Sequence, residues 1–191
     1  MKKWSQFNKN TQHNPPRDLY LEAVKLIDAN NAEALDIAAG ALNETKDMLA
    51  RGFKVTAIDS NTDITALASE INDKNLSVFV STMQDFEYEV NKYDLVIAMF
   101  ALPFIDPADF NRTFNKIVKS VKKGGIFAFH LFGVDDEWSN NPKMTFHDKE
   151  SASKLVDRLE VLRLKELKDV KKIANGTKKN WHVFQVIAKC N

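Results

Sequence analysis

An aspartate followed by small and apolar residues, Asp36-Ile37-Ala38-Ala39-Gly40-Ala41-Leu42, is the first segment of this chain suited to chemistry. Small side chains let the backbone come close to a ligand, and the helix that follows offers unpaired N–H groups. Asp59 lies 23 residues after Asp36, near the ~20-residue interval of a carboxylate that binds a nucleotide ribose. Asp59 could instead cap the next helix, but its place directly behind an apolar run favours the ribose. Asp85 has two readings of equal weight, a helix cap or an acceptor for an adenine amino group. His130 closes an apolar run, where it could orient a substrate or take its proton, or be a satisfied structural histidine.

These residues need elements to hold them. LYLEAVKLI predicts a helix starting at or just after Pro16, with Leu19, Ala23, Leu26 and Ile27 on one face and Asn30-Asn31 at its end. Residues 1–15 are polar with Trp4 and Phe7 among them, and read as a frayed terminus or as a lid over a ligand. Ala34–Ile37 is a short strand, Asn43 the expected cap of ETKDMLAR, and Gly52 its stop. Phe53–Ile58 is a second strand, Ser60–Asn72 a helix, and Leu76–Val80 a third strand. Tyr93–Met99 is nearly all apolar, as a strand buried on both faces should be. Asp106-Pro107 opens a helix with the stripe Phe110, Phe114, Ile117, Val118, Val121, and Gly124-Gly125 is expected to stop it. Ile126–Phe132 is a fifth strand, and residues 133–147 form a long connection of the kind that carries function. A helix follows around 148–158. Leu159–Leu167 and His182–Lys189 are two last strands joined through an Asn175-Gly176 turn, antiparallel because no crossover helix separates them. The expected fold is therefore α/β, a single Rossmann-like doubly wound sheet of about seven mostly parallel strands, with residues 1–191 as one domain.

Composition narrows the function. The chain has 191 residues, 44% of them hydrophobic, with a formal charge of +1. That balance argues against a dedicated nucleic-acid binder. No run approaches the roughly 18 apolar residues of a membrane span, and no secretory signal is visible, so a cytoplasmic location and no membrane partner are expected. Cys190 is the sole cysteine, and the histidines at 13, 130, 147 and 182 show no metal-ligand spacing, so no metal site is expected. His147 and His182 read as structural. The lysine-rich tract from Lys165 to Lys179 reads as a solvated edge.

In an open α/β sheet ligands bind beyond the carboxyl ends of the strands, where strand order reverses. The segments placed there resemble class I S-adenosylmethionine-dependent methyltransferases, within them a small bacterial tellurite-resistance methyltransferase-like group. ALDIAAGALNETKDMLARGFKVTAIDSN is similar to the first two motifs of that family and YDLVIAMFALPFI to its fourth. HLFGVDDEW, KMTFHDKE and KNWHVFQVIAK resemble its C-terminal half. The resemblance implies S-adenosyl-L-methionine as cofactor and a small-molecule methyl acceptor as partner. It implies that Asp36 and Gly40 shape the loop under the methionine part and that Asp59, with Ser60 beside it, holds the ribose. Gln84, Asp85 and Phe86 would surround the adenine, while Met99, Phe100 and Leu102 would line the cofactor and face the acceptor. Arg17 would pair with the cofactor carboxylate, or be a solvated arginine at a helix start. His130 is the one histidine nominated for proton transfer.

One departure stands out. The family loop reads acid-x-Gly-x-Gly-x-Gly, and here Ala38 and Leu42 replace the first and third glycines. If those positions need positive φ, each Cβ costs free energy. That motivates an alternative, a cofactor-binding or interaction protein that keeps the fold without turnover. A nicotinamide-dependent oxidoreductase is disfavoured, because the loop has one glycine where that fingerprint needs three.

Overall fold

The structure is a computed structural model that describes residues 2–172 and 176–191. Helices α1 (Lys2–Thr11) and α2 (Asp18–Ala23, extended by a 3-10 turn to Leu26) precede strand β1 (Glu33–Ile37). Then come α3 (Asn43–Ala50), β2 (Lys54–Asp59), α4 (Asp63–Ile71), β3 (Leu76–Val80) and β4 (Tyr93–Ala98). The second half holds α5 (Pro107–Ser120), β5 (Val121–Gly133), the two-residue β6 (Phe146–His147), α6 (Lys149–Leu155), β7 (Glu160–Lys172) and β8 (Lys178–Lys189).

The sheet runs β3-β2-β1-β4-β5-β8-β7, and β6 pairs with β5 beside that path. Strands β1 to β5 are parallel along it, and β8 joins β5 and β7 antiparallel. The chain winds outward from β1 to β3, then crosses to β4 on the other side of β1, so strand order reverses between β1 and β4. Both faces of the sheet are covered. Along β4, Leu95 and Ile97 pack with Leu19, Tyr20 and Ala23 of α2, while Val96 and Ala98 pack with Phe110, Phe114 and Ile117 of α5. This period-2 alternation between two apolar layers makes the strand read as one continuous apolar run.

Local signals worked where a single residue decides the geometry. Asp106 caps α5 by accepting the Ala108 N–H at 3.0 Å, and Pro107 sits at the first turn. Elsewhere tertiary pairing overrode them. The helix α5 ends at Ser120, before the glycines, because Val121 pairs with Tyr93 and begins β5. Gly124-Gly125 instead serve an irregularity within that strand: a Cβ at Gly125 would lie 2.9 Å from Lys122 O and from Val121 Cγ1. Asn43 is the first residue of α3, and Leu42 takes the cap position in the left-handed region at φ 61°. Leu26, expected on a buried face, is 51% exposed, because the helix has already tightened to 3-10 and ends there. Residues 2–11, read as polar and frayed, form α1. Asn175 of the expected last turn lies outside the described residues, and Gly176 has φ 86°. No helix among the described residues is long and apolar enough to cross a membrane.

Candidate active site

The loop after β1 turns through left-handed backbone at three alternate residues: Ala38 at φ 56°, Gly40 at 54° and Leu42 at 61°. Both substituted positions thus adopt the geometry that favours glycine, at roughly 1–2 kcal/mol for each Cβ. Hydrogen bonds offset the strain. The Ala39 N–H donates to Ile58 O at 3.0 Å and the Leu42 N–H to Ala39 O at 2.9 Å. Leu42 adds a fully buried side chain packed with Ala39, Ala57 and Ile64.

Asp59, at the end of β2, ties this loop to the next. Its Oδ2 accepts the Gly40 N–H at 2.9 Å and its Oδ1 the Asn61 N–H at 2.8 Å. Each oxygen keeps acceptor capacity for a further partner. Burial raises its pKa, and the two N–H bonds oppose that rise. Asp36 is fully enclosed, and its Oδ2 accepts from the Thr45 hydroxyl at 2.7 Å. Burial, with Glu44 nearby, pushes its carboxyl up to about 7, against the hydrogen bond from Thr45. Glu44 is itself buried, and accepts both the backbone N–H and the guanidinium of Arg17, the latter at 2.7 Å. Arg17 is therefore not a free solvated arginine. It is anchored at the start of α2, and its guanidinium carbon lies 5.8 Å from the Phe100 ring centre.

Helix α1 lies across these loops. Asn43 Nδ2 donates to Thr11 O at 2.8 Å and Asn61 Nδ2 to Ser5 Oγ at 3.4 Å. The side chain of Asn8 sits over Gly40, where an added Cβ would come 3.3 Å from Asn8 Oδ1. Trp4 packs edge-on against Phe104 with centroids 5.3 Å apart.

Behind β4 the chain changes character. Phe100 has φ 56°, a true outlier for an aromatic residue and the kind of strain that collects at functional sites. Its ring lies flat on His130, 4.0 Å away with the planes 9° apart. His130 is buried, and its Nδ1 has no hydrogen-bond partner. Burial, reinforced by Arg17 and Arg163, lowers its pKa to about 3, so it is neutral and a poor proton acceptor. Trp181 lies 5.6 Å from Phe100, and Phe104, Phe132 and Trp138 continue the ring cluster. Lys179 sits within it. Its ammonium is 3.6 Å from the Trp181 ring centre, 4.0 Å from Trp138 and 4.4 Å from Phe132, and 2.6 Å from Asp136 Oδ1. Burial lowers its pKa, and Asp136 holds the proton on.

The structure gathers Arg17, Asp36, Ala38, Gly40, Asp59, Phe100 and His130 around the reversal point of the sheet. Ser60 is exposed beside Asp59. Gln84 is half-buried, and Asp85 is exposed, accepting from the Thr82 hydroxyl at 2.6 Å. Phe86 packs edge-on to Phe79 and Tyr88. Met99 packs in the layer under α2, and Leu102 is fully buried in the layer under α5. Lys179, assigned to a solvated edge, is 1% exposed. The signal for it was the alternation Lys179-Asn180-Trp181: β8 begins at Lys178, four residues before His182, which puts Lys179 and Trp181 on one face. His182 is structural, donating from Nε2 to Glu166 while Nδ1 accepts the Asp135 N–H. A surface groove of about 400 Å³, lined by Ala68, Asn72, Lys74, Leu76 and Val78, opens at the opposite end of the strands.

A doubly wound sheet with a left-handed small-residue loop after β1 and a carboxylate ending β2 is a Rossmann-like cofactor domain. Residues 34–125 match the methyltransferase domain family. The chain is 30% identical over 116 residues to a malonyl-[acyl-carrier protein] O-methyltransferase from Acetivibrio thermocellus, covering 59% of this chain and 40% of that protein. It thus spans less than half the length of that relative. Its fold is similar to TehB from Haemophilus influenzae, with a TM-score of 0.81 at 18% identity over 97% of this chain and 66% of that one. It is also similar to 1,6-didemethyltoxoflavin-N1-methyltransferase from Burkholderia thailandensis, solved with its namesake compound and S-adenosylhomocysteine bound. There the TM-score is 0.66 at 14% identity, over 100% of this chain and 89% of that one. Residues 34–125 thus match a methyltransferase domain, and the solved structures share the fold of the chain.

Proposed function

We propose that this protein transfers a methyl group from S-adenosylmethionine to a small-molecule acceptor. The observation that carries the reading is the tie between Gly40 and Asp59 at the reversal point. It holds a bare stretch of backbone and a carboxylate with spare lone pairs side by side. The residues fit the cofactor: a Cβ at Gly40 would meet only Asn8 Oδ1 at 3.3 Å and Ala38 O at 3.9 Å, so the loop has room once α1 is displaced. In this reading Asp59 holds the ribose, Arg17 faces the cofactor carboxylate, and the loop from Ala38 to Leu42 lies under the methionine part. Gln84, Asp85 and Phe86 flank the adenine, and Phe100 faces the acceptor. When bound, the cofactor supplies an electrophilic methyl group on a sulfonium. The chain's own work is then to hold the acceptor in line and exclude water, and such positioning is worth roughly 7–11 kcal/mol. The similar Burkholderia structure, which holds 1,6-didemethyltoxoflavin together with S-adenosylhomocysteine, supports the same reading.

Helix α1 acts in this reading as a lid. Its contacts reach the loops after β1 and β2 and the segment after β4, so its release opens all three. Titration calorimetry with S-adenosylhomocysteine and mass-spectrometric detection of methyl transfer test the function. Binding of the cofactor product and turnover of S-adenosylmethionine are expected; absence of binding overturns the reading. Hydrogen exchange tests the lid. Amides of residues 2–11 should exchange faster without ligand than with it, and equal protection in both states would make α1 a fixed part of the fold.

A further inference from the structure

The ring cluster behind β4 and β5 differs from an ordinary core in two respects. Its members Phe100, Phe104, Trp138 and Trp181 are each partly exposed, and its interior already holds an ammonium group paired with Asp136. The ammonium of Lys179 lies over Phe132, Trp138 and Trp181, the geometry in which ring faces attract positive charge. The Asp136 partner is locked as well, accepting the N–H groups of Trp138 at 3.0 Å and His182 at 3.1 Å. Lys179 and Asp136 thus fix the loop after β5 against β8, and with it the positions of Trp138 and Trp181.

Among the described residues the region offers no exposed, unpaired base: the ring nitrogens without a partner, His130 Nδ1 and His147 Nε2, are both buried. The His130 ring is enclosed beneath Phe100. Asp36 is shut under Thr45, Glu44 is paired with Arg17, and the lone pairs that Asp59 keeps beyond its two backbone N–H bonds are taken by the ribose in the reading above. In the loop after β5, Asp135 pairs with Lys168, Asp136 with Lys179, and Glu137 accepts the Asn180 N–H. An acceptor that must lose a proton before attack meets no exposed, unpaired base here. Alkyl ammonium, phenol and alcohol acceptors are disfavoured on that ground.

We infer that the acceptor is a flat, neutral heteroaromatic compound that lies on the rings of Phe100, Phe104 and Trp181 and attacks through a pyridine-type ring nitrogen. This rests on the methyl-transfer reading above. Such a nitrogen carries its lone pair free at neutral pH. It forms the new N–CH₃ bond as the methyl–sulfur bond breaks, and that bond's electron pair stays on sulfur. The positive charge passes from sulfonium to ring nitrogen, the leaving group is a neutral thioether, and no proton is released. The product is a ring cation beside aromatic faces, the environment that Lys179 already occupies a few ångströms away.

Quinoline, 2-naphthol and 2-naphthalenethiol, similar in size and shape, are the probes. Each is incubated with S-adenosylmethionine and the full chain, with S-adenosylhomocysteine binding measured in parallel. The expected result is N-methylquinolinium, formed without proton release in weak buffer, with the naphthol unmethylated. Trp181→Leu should raise the KM for quinoline about tenfold, the scale of one ring-stacking contact, and leave S-adenosylhomocysteine affinity unchanged. Phe104→Leu provides the same readout should the tryptophan variant fail to fold. Methylation of the naphthol or the thiol in preference to quinoline overturns the inference. So does cofactor binding with no quinoline methylation, or an unchanged KM in both variants. Each of those results leaves the methyltransferase reading intact. Loss of S-adenosylhomocysteine binding in the unaltered protein breaks that reading instead, and this one with it.

Discussion

The two halves of the crevice are built by different physics. At β1 and β2 the chain uses small residues, left-handed backbone and carboxylates bonded to N–H groups. At β4, β5 and β8 it uses large rings, and the Lys179 ammonium among them is enclosed and paired with Asp136. The first half suits a polar cofactor with many hydrogen-bonding groups. The second suits a ligand recognised by shape and by its π-face. Under the proposed function, the contrast assigns cofactor specificity to main-chain geometry and acceptor specificity to side chains drawn from distant parts of the sequence.

Breaking the ring half should have the largest effect on stability. Asp136→Ala leaves the Lys179 ammonium buried without a counter-ion and strips a partner from two backbone N–H groups. Loss of one member of such a pair costs about 3–5 kcal/mol, read as a fall in the urea midpoint. If Lys179→Met is combined with Asp136→Leu, much of that loss should return, because apolar replacements of a buried pair are often tolerated. A single Asp136→Ala variant as stable as the parent would mean that Lys179 escapes to solvent.

The cofactor half should respond to pH. The folded-state pKa of Asp36, about 7, lies above its ordinary value of 3.8. Between those values the unfolded chain has lost the proton and the folded chain retains it. The folded state binds more protons in this window, so the contribution of Asp36 to stability falls as pH rises from 5 to 8. Asp36→Asn keeps the Thr45 contact without the titration, and should be less sensitive to pH over that range. Urea midpoints of both proteins at pH 5 and pH 8 isolate the difference, and equal slopes would show that Asp36 is ionised in the fold.

Much of the fold was legible in the sequence because its cues are local. Apolar runs at period 2, a cap at Asp106 and a stop at Gly52 each act within a few residues. Asp36, Gly40 and Asp59 were legible for a related reason, since one strand–loop–helix–strand unit brings them together. The ring half was not. Phe100, Trp138, Lys179 and Trp181 come from three separate loops and strands, and only the antiparallel β8 brings the last two back to β5. Lysines also read as surface residues by default, so Lys179 was hidden by its own composition class. Helix α1 was missed because its stability comes from docking on Asn43, Asn61 and Phe104, none of them visible in a polar decamer.

A smaller effect sharpens the role of Asp59. Asp59→Ala removes the proposed ribose acceptor and also releases the N–H groups of Gly40 and Asn61. Cofactor binding should weaken by roughly 1.5–3 kcal/mol, the scale of hydrogen bonds to a charged group. Asp59→Asn should fall between, since it keeps an acceptor for one N–H but presents a donor toward the other. Calorimetry with S-adenosylhomocysteine reads both, and unchanged affinity in the alanine variant would remove Asp59 from the site.

The smallest expected effect tests whether the loop's strain is a cost or a requirement. Ala38 and Leu42 share a left-handed backbone, yet their side chains differ in what they return. Ala38 is half-buried with a single methyl to lose, so Ala38→Gly should relieve roughly 1–2 kcal/mol of strain. Against this stands about 0.5–1 kcal/mol for the greater freedom of an unfolded glycine. The net is a gain of about 0–1.5 kcal/mol, seen as at most a modest rise in thermal midpoint, with cofactor affinity equal or better. Leu42→Gly relieves the same strain but empties a fully buried position packed on Ala57 and Ile64. Removing a buried leucine side chain costs about 2–5 kcal/mol, so that variant should be destabilised. Opposite signs at two residues of equal φ would separate backbone strain from packing within one loop. A loss of cofactor affinity in Ala38→Gly would show instead that the alanine methyl touches the ligand.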